Sequence, residues 1–141
     1  MTQWTQTPTT MPGLDSLLGM ELVAVEPDRL ELRFAVRPEL HQPFGILHGG
    51  VHCAAVESAA SIAAASWLEQ RDPAARVVGV SNQTDFYRAV TEGELTATAT
   101  PVHRGRSQQV WQVVITDDSD RLVARGQVRL QNLYETPTAT G

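Results

Sequence analysis

The chain contains no lysine: its 11 positive charges are all arginine, set against 16 aspartates and glutamates. A net charge of −5 argues against nucleic acid as a main partner, because phosphate polymers are bound through basic patches. It leaves room for one nucleotide-bearing ligand held by a few arginines. Cysteine is nearly missing too. Cys53 stands alone, which excludes an intramolecular disulfide and a thiolate metal cluster. The first residues are rich in Thr, Gln and Pro and lack a basic segment followed by an apolar run. No signal peptide is expected, and a reduced cytoplasmic setting is the default. Charge is also missing from the middle of the chain, where Glu57 is the one formally charged residue between Glu39 and Glu69. That stretch is long enough to span a bilayer. It is poor in Leu, Ile and Phe, however, and carries His48, His52, Glu57 and three serines, so a buried helix of a soluble protein is expected and no membrane partner.

The 141 residues fit one domain with a core of its own. Residues 1–12 and 135–141 read as loose tails around a domain over 13–134, with a short helix expected near residues 12–18. Residues 20–25 read as a strand, and Glu26-Pro27-Asp28 as a turn. In the next strand Leu30, Leu32, Phe34 and Val36 alternate with Arg29, Glu31, Arg33 and Arg37, one face buried and one wet. A loop with Pro38, Pro43 and Gly45 leads to a helix from about Gly49 to Gln70, closed by Asp72-Pro73. Four strands follow near 76–88, 93–103, 107–117 and 121–133. Leu95, Ala97 and Ala99 alternate with threonines, and Leu122, Ala124, Gly126, Val128 and Leu130 form the apolar side of the last strand. Val77 to Arg88 alternates poorly. The order is β-β-α-β-β-β-β. Its short turns require antiparallel pairing, and a helix apolar all round must be covered. This is an α+β arrangement in which a curved antiparallel sheet wraps one central helix, leaving an open helix surface for a partner subunit.

Chemistry concentrates around His48-Gly49-Gly50 and Glu57. Gly49 starts the helix, so its amide has no intrahelical acceptor and points along the positive end of the helix dipole. It can hold an oxyanion, and glycine lets a substrate approach closely. The plainer reading is a pair of glycines that permits a tight turn. A carboxylate in an apolar helix is costly unless it is paired or used, which marks Glu57. Ser61 lies one turn later on the same face and Cys53 one turn earlier. Eight residues separate Gly49 from Glu57, about 12 Å along a helix axis. One helix therefore does not easily place both on one carbonyl, whereas antiparallel helices from two subunits do. His48 and His52 have metal-like spacing but no evident third ligand, so no metal is expected.

The stretch Gln42-Pro43-Phe44-Gly45-Ile46-Leu47-His48-Gly49-Gly50, followed by Glu57 and Ser61, resembles the hotdog-fold acyl-CoA thioesterases over residues 18–132. It is most similar to the branch with the phenylacetate-degradation (PaaI-type) and Arthrobacter-type 4-hydroxybenzoyl-CoA enzymes. The resemblance implies hydrolysis of an acyl-CoA without cofactor. In it Gly49 polarises the carbonyl, and Glu57 from the other subunit attacks it or activates water. Gln42 helps bind the carbonyl or water, Ser61 orients the attacking group, and His48 stabilises the loop. It also implies a homodimer, often stacked into a tetramer. Coenzyme A phosphates would need arginines, for which Arg88 and the turn Arg104-Gly105-Arg106 are the candidates. The competing class is a non-catalytic acyl-CoA binding module on the same fold.

Overall fold

A computed structural model describes residues 9–136. Its elements are β1 (Thr9–Thr10), α1 (Leu14–Leu17), β2 (Glu21–Glu26), β3 (Arg29–Ala35), a 3-10 turn (Pro38–Leu40), α2 (Gly49–Glu69), β4 (Arg76–Phe86), β5 (Glu94–Arg104), β6 (Gln108–Thr116) and β7 (Leu122–Leu133). All strands join one antiparallel sheet in the order β1-β2-β3-β5-β6-β7-β4. The sheet packs on α2, whose Ala55, Val56, Ala59, Ala60 and Ala64 are fully buried against Leu30, Leu32, Leu95, Val113 and Val128. This is the hotdog architecture. By length and composition α2 could cross a bilayer, but it is the core helix of the domain, with 56% of its apolar window inside the protein.

Two expectations need correction. The N-terminal tail does not extend to residue 12, because Thr9–Thr10 pair with Glu21 and Leu22 and Met11 is buried. Residues 1–8 and 137–141 lie outside the described residues. In the last strand Ala124, Gly126, Val128 and Leu130 face the core, and the departure is confined to Leu122. Thr116 pairs with Leu122 and Ile115 with Ala124, so Val123 is an extra residue. Such a bulge resets the alternation, which buries Val123 and leaves Leu122 exposed.

The bulge that matters for the site is in β4. Gly79 pairs with Leu130 and Ser81 with Arg129, with Val80 between them. Beyond it Asn82, Thr84 and Phe86 pair with Val128, Gly126 and Ala124, whose side of β7 is the core. Gly79, Asn82, Thr84 and Phe86 therefore share the face toward α2. The poor alternation of this strand in the sequence is the trace of that shift. β4 also ends the sheet. Its free edge and its exposed Val78 and Val80 make it unlike β5, β6 and β7, which are paired on both sides.

Candidate active site

The loop before α2 is held at several points. The Leu47 amide donates to the Val90 carbonyl, the His48 amide to the Leu40 carbonyl, and the Gln42 amide to the Ile46 carbonyl. Gly45 turns the chain at φ 82, a conformation that disfavours side chains. The Gln42 side-chain oxygen accepts from the Phe44 amide. That bond commits the oxygen to the loop and leaves the Gln42 NH₂ group as a donor on the cleft.

His48 is the N-cap of α2. Its Nδ1 accepts from the Gly50 amide at 2.7 Å, and its carbonyl accepts from Val51. A Cβ on Gly50 would sit 2.8 Å from that nitrogen, so glycine is what lets the ring close over the helix end. With those amides satisfied, the Gly49 amide is the one left to meet a ligand at the positive end of the dipole. His48 is thus a capping residue of α2.

Gly49 and Gln42 open onto a cleft of about 360 Å³, lined also by Ile46, His52, Phe86, Tyr87 and Arg88. The Phe86 ring covers Gly49 so closely that a Cβ there would meet it at 2.8 Å. The same ring packs on the His52 imidazole, with centroids 5.6 Å apart. His52 is buried, and burial lowers its pKa to about 4, so the ring is neutral at pH 7.

Glu57 lies two turns further along α2 in a separate cluster. Its Oε2 accepts from Asn82 Nδ2 at 3.1 Å, and its Oε1 from Ser61 Oγ at 3.4 Å. Asn82 Nδ2 also donates to the Cys53 carbonyl, and its Oδ1 accepts from Thr84 Oγ1 at 2.7 Å. Opposite, Gly79 leaves the space the carboxylate fills, since a Cβ there would collide with Oε1. The carboxylate is half-buried and held by neutral donors. No arginine pairs with it among the described residues, so a salt-bridged structural role is not what the geometry shows.

The structure thus brings Glu57 and Ser61 together, and separately Gln42, Gly49 and Arg88. It does not bring the two groups together within one chain. The arginine candidates also divide. Arg104 is committed elsewhere: it pairs with Asp28 at 2.8 Å, donates to the Pro27 carbonyl, and lies over the Trp67 and Trp111 rings. It is a strut at the far end of α2, about 27 Å from Gly49 by helix rise. The Gly105 and Arg106 carbonyls accept from the buried Asn132 amide group, and the Arg106 side chain is exposed. Within one chain Arg104 and Arg106 do not serve the cleft at Arg88. Sequence reasoning missed Asn82 and Gly79, whose only signal is the broken alternation of β4.

Residues 44–124 match the model of the thioesterase superfamily. The 1,4-dihydroxy-2-naphthoyl-CoA hydrolase of Listeria monocytogenes is 40% identical over 79% of this chain and 88% of its own. The proofreading thioesterase EntH of Cronobacter turicensis is 37% identical over 80% of each chain. Among solved structures, AziG of S. sahachiroi superposes with a TM-score of 0.83 at 53% identity, over 90% of this chain and 100% of that one.

Proposed function

Because this chain belongs to the thioesterase superfamily and is a thioester hydrolase, we propose that it hydrolyses acyl-CoA, in sites each shared by two copies of the chain. The observation that carries this is the pairing of a free helix-start amide at Gly49 with a carboxylate, Glu57, held by Asn82 and Ser61. The thioester oxygen is received by the Gly49 amide and the Gln42 NH₂ group, where charge builds as the carbonyl carbon becomes tetrahedral. Glu57 of the second copy either attacks that carbon or takes a proton from the attacking water, and CoA leaves as thiolate. Asn82 and Ser61 fix the carboxylate in one rotamer. None of these steps calls for a metal or an organic cofactor.

The half-sites lie about 12 Å apart along α2, and the free edge of β4 runs beside both. Antiparallel pairing of two β4 edges would cover Val78 and Val80 and set one copy's Glu57 against the other's Gly49. Arg88 supplies a cation for a CoA phosphate at the cleft mouth. The acyl group is a small aromatic or a medium-length chain. Phe86 and Tyr87 on the cleft wall favour the aromatic, as does the naphthoyl substrate in the name of the Listeria relative.

The test is free-thiol release from aromatic and aliphatic acyl-CoAs. Wild type is expected to release CoA, and Glu57→Ala to lower kcat by about 10²-fold or more while staying folded. Equal turnover by the folded variant would remove Glu57 from the reaction. Tight acyl-CoA binding by wild type without release would make the chain a binding module.

A further inference from the structure

Three large apolar side chains reach further into solvent than any others among the described residues: Phe44 at 90%, Leu17 at 74% and Leu14 at 59%. Exposed apolar residues scattered singly are ordinary, but these three are not scattered. Phe44 is in the middle of the loop that Gln42 and Ile46 close, just before the Gly49 amide. Leu14 and Leu17 begin and end α1 and share one side of it. α1 is fastened at two points. The Ser58 hydroxyl of α2 donates to Asp15 Oδ1 at 2.6 Å, and Arg37 Nη2 donates to the Leu17 carbonyl at 2.6 Å. The result is an apolar platform that is fixed in place and left bare. Ser58 follows Glu57 directly, so within one chain the platform is tied to α2 about 13 Å past Gly49. Between chains the relation changes. Wherever a second copy sets its Glu57 against Gly49, its Ser58 and the α1 tied to it come too, beside the loop that carries Phe44.

We propose that Phe44 seats on Leu14 and Leu17 of the second copy, so that α1 of the chain lending Glu57 completes the site of the chain lending Gly49. This rests on the shared-site reading above and adds an element to it. The occupant of the apolar platform is a second copy of this chain, and one contact covers all three exposed side chains. Its effect reaches the reaction through Gln42. The Gln42 side-chain oxygen accepts from the Phe44 amide, so the residue that seats on the partner also sets where the Gln42 NH₂ group points. Phe44 has almost no packing of its own to hold it, and Gly45 beside it turns the chain at φ 82. The platform supplies the missing support. Phe44 and Leu17 are positioning residues: they touch no reacting atom and act on the thioester oxygen through Gln42.

The experiment uses dimers mixed from an inactive Glu57→Ala chain, which lends its glycine amide, and an inactive Gly49→Val chain, which lends its carboxylate. Each mixed dimer carries one working site, so a further substitution can be placed on either side of it. Leu17→Ala in the Gly49→Val chain is expected to lower kcat per mixed dimer about threefold to tenfold, with little change in KM. In the Glu57→Ala chain the same substitution faces the dead site, and kcat should change by less than about twofold. Phe44→Ala is expected to show the opposite placement: a loss in the Glu57→Ala chain and little change in the Gly49→Val chain. Equal losses in the two placements overturn the proposal, because a contact that only holds the dimer together weakens both mixtures alike. So does the absence of a loss in either placement, an outcome that leaves the shared site intact. Parent mixtures that regain no activity, although mixed dimers form, would remove the shared site itself, and the proposal with it.

Discussion

β5 and β4 are both 11-residue strands of one sheet, and they differ in almost every other respect. In β5, Leu95, Ala97 and Ala99 are fully buried, alternate without a break, and pair with strands on both sides. β4 is exposed along most of its length, carries a bulge at Val80, and has one free edge. Over 95–99 regular pairing and an unbroken apolar row make β5 part of the core, and its own bulge, at Val102, falls beyond that row. β4 gives up core packing. In exchange, its inward row holds a glycine beside a carboxylate, an amide that grips it, and an aromatic ring over a free helix amide. In β5 the unbroken row of 95–99 stabilises the fold, and in β4 the shifted row shapes the site.

The sharpest way to break this contrast is a pair of glycine substitutions facing α2. Gly79→Ala, in β4, drives a methyl into Glu57 Oε1, which swings away because it ends a flexible side chain. Activity is expected to fall by about tenfold to 10²-fold, with little change in unfolding midpoint. Gly126→Ala, in β7, places a methyl 2.6 Å from Val56 Cγ1 and 2.7 Å from Thr84 Oγ1. This overpacks a closed region, and denaturant titration should show a loss of about 1–3 kcal/mol. If Gly79→Ala unfolded the protein and left specific activity intact, β4 would be structural like its neighbours.

Acid is expected to act through His52. Its folded pKa, lowered to about 4 by burial, lies below the unfolded value near 6.5. The unfolded chain therefore binds the extra proton first as pH falls, and stability is lost between about pH 6.5 and 4. Between pH 7 and 5 this costs about 2 kcal/mol. Urea titrations at the two pH values should show that loss in wild type, and a smaller one in His52→Phe. The smallest effects are expected at Asn82 and Thr84. Asn82→Ala removes one hydrogen bond to Glu57, so kcat should drop about 3–30-fold with KM nearly unchanged, while Thr84→Val, one bond further away, should do less.

The sequence reveals the parts of the molecule whose physics is local. The uncharged run, the N-terminal glycines and Asp72-Pro73 mark α2 to within a residue at its C-terminal end. The alternation of β3 and β5 marks their buried faces. Gln42, Gly49, Glu57 and Ser61 are visible because their spacing is a motif; the structure sets Gln42 and Gly49 on one cleft and Glu57 beside Ser61. What stays hidden depends on register. The bulges at Val80 and Val123 flip side chains between faces and leave no local trace beyond poor alternation, which conceals Gly79 and Asn82 and misplaces Leu122. Arg104 misleads for a similar reason. An arginine beside a hairpin glycine looks free in sequence, while its partner Asp28 comes from a turn far away along the chain.

The claim on which the rest depends is that each site is built from two chains. Glu57→Ala and Gly49→Val, each inactive alone, are unfolded together and refolded as a mixture. If one copy lends its glycine amide and the other its carboxylate, mixed dimers carry one intact site each, and roughly a quarter of wild-type activity should return. Activity no higher than that of the separate variants, in a mixture shown to contain mixed dimers, would contradict the composite site.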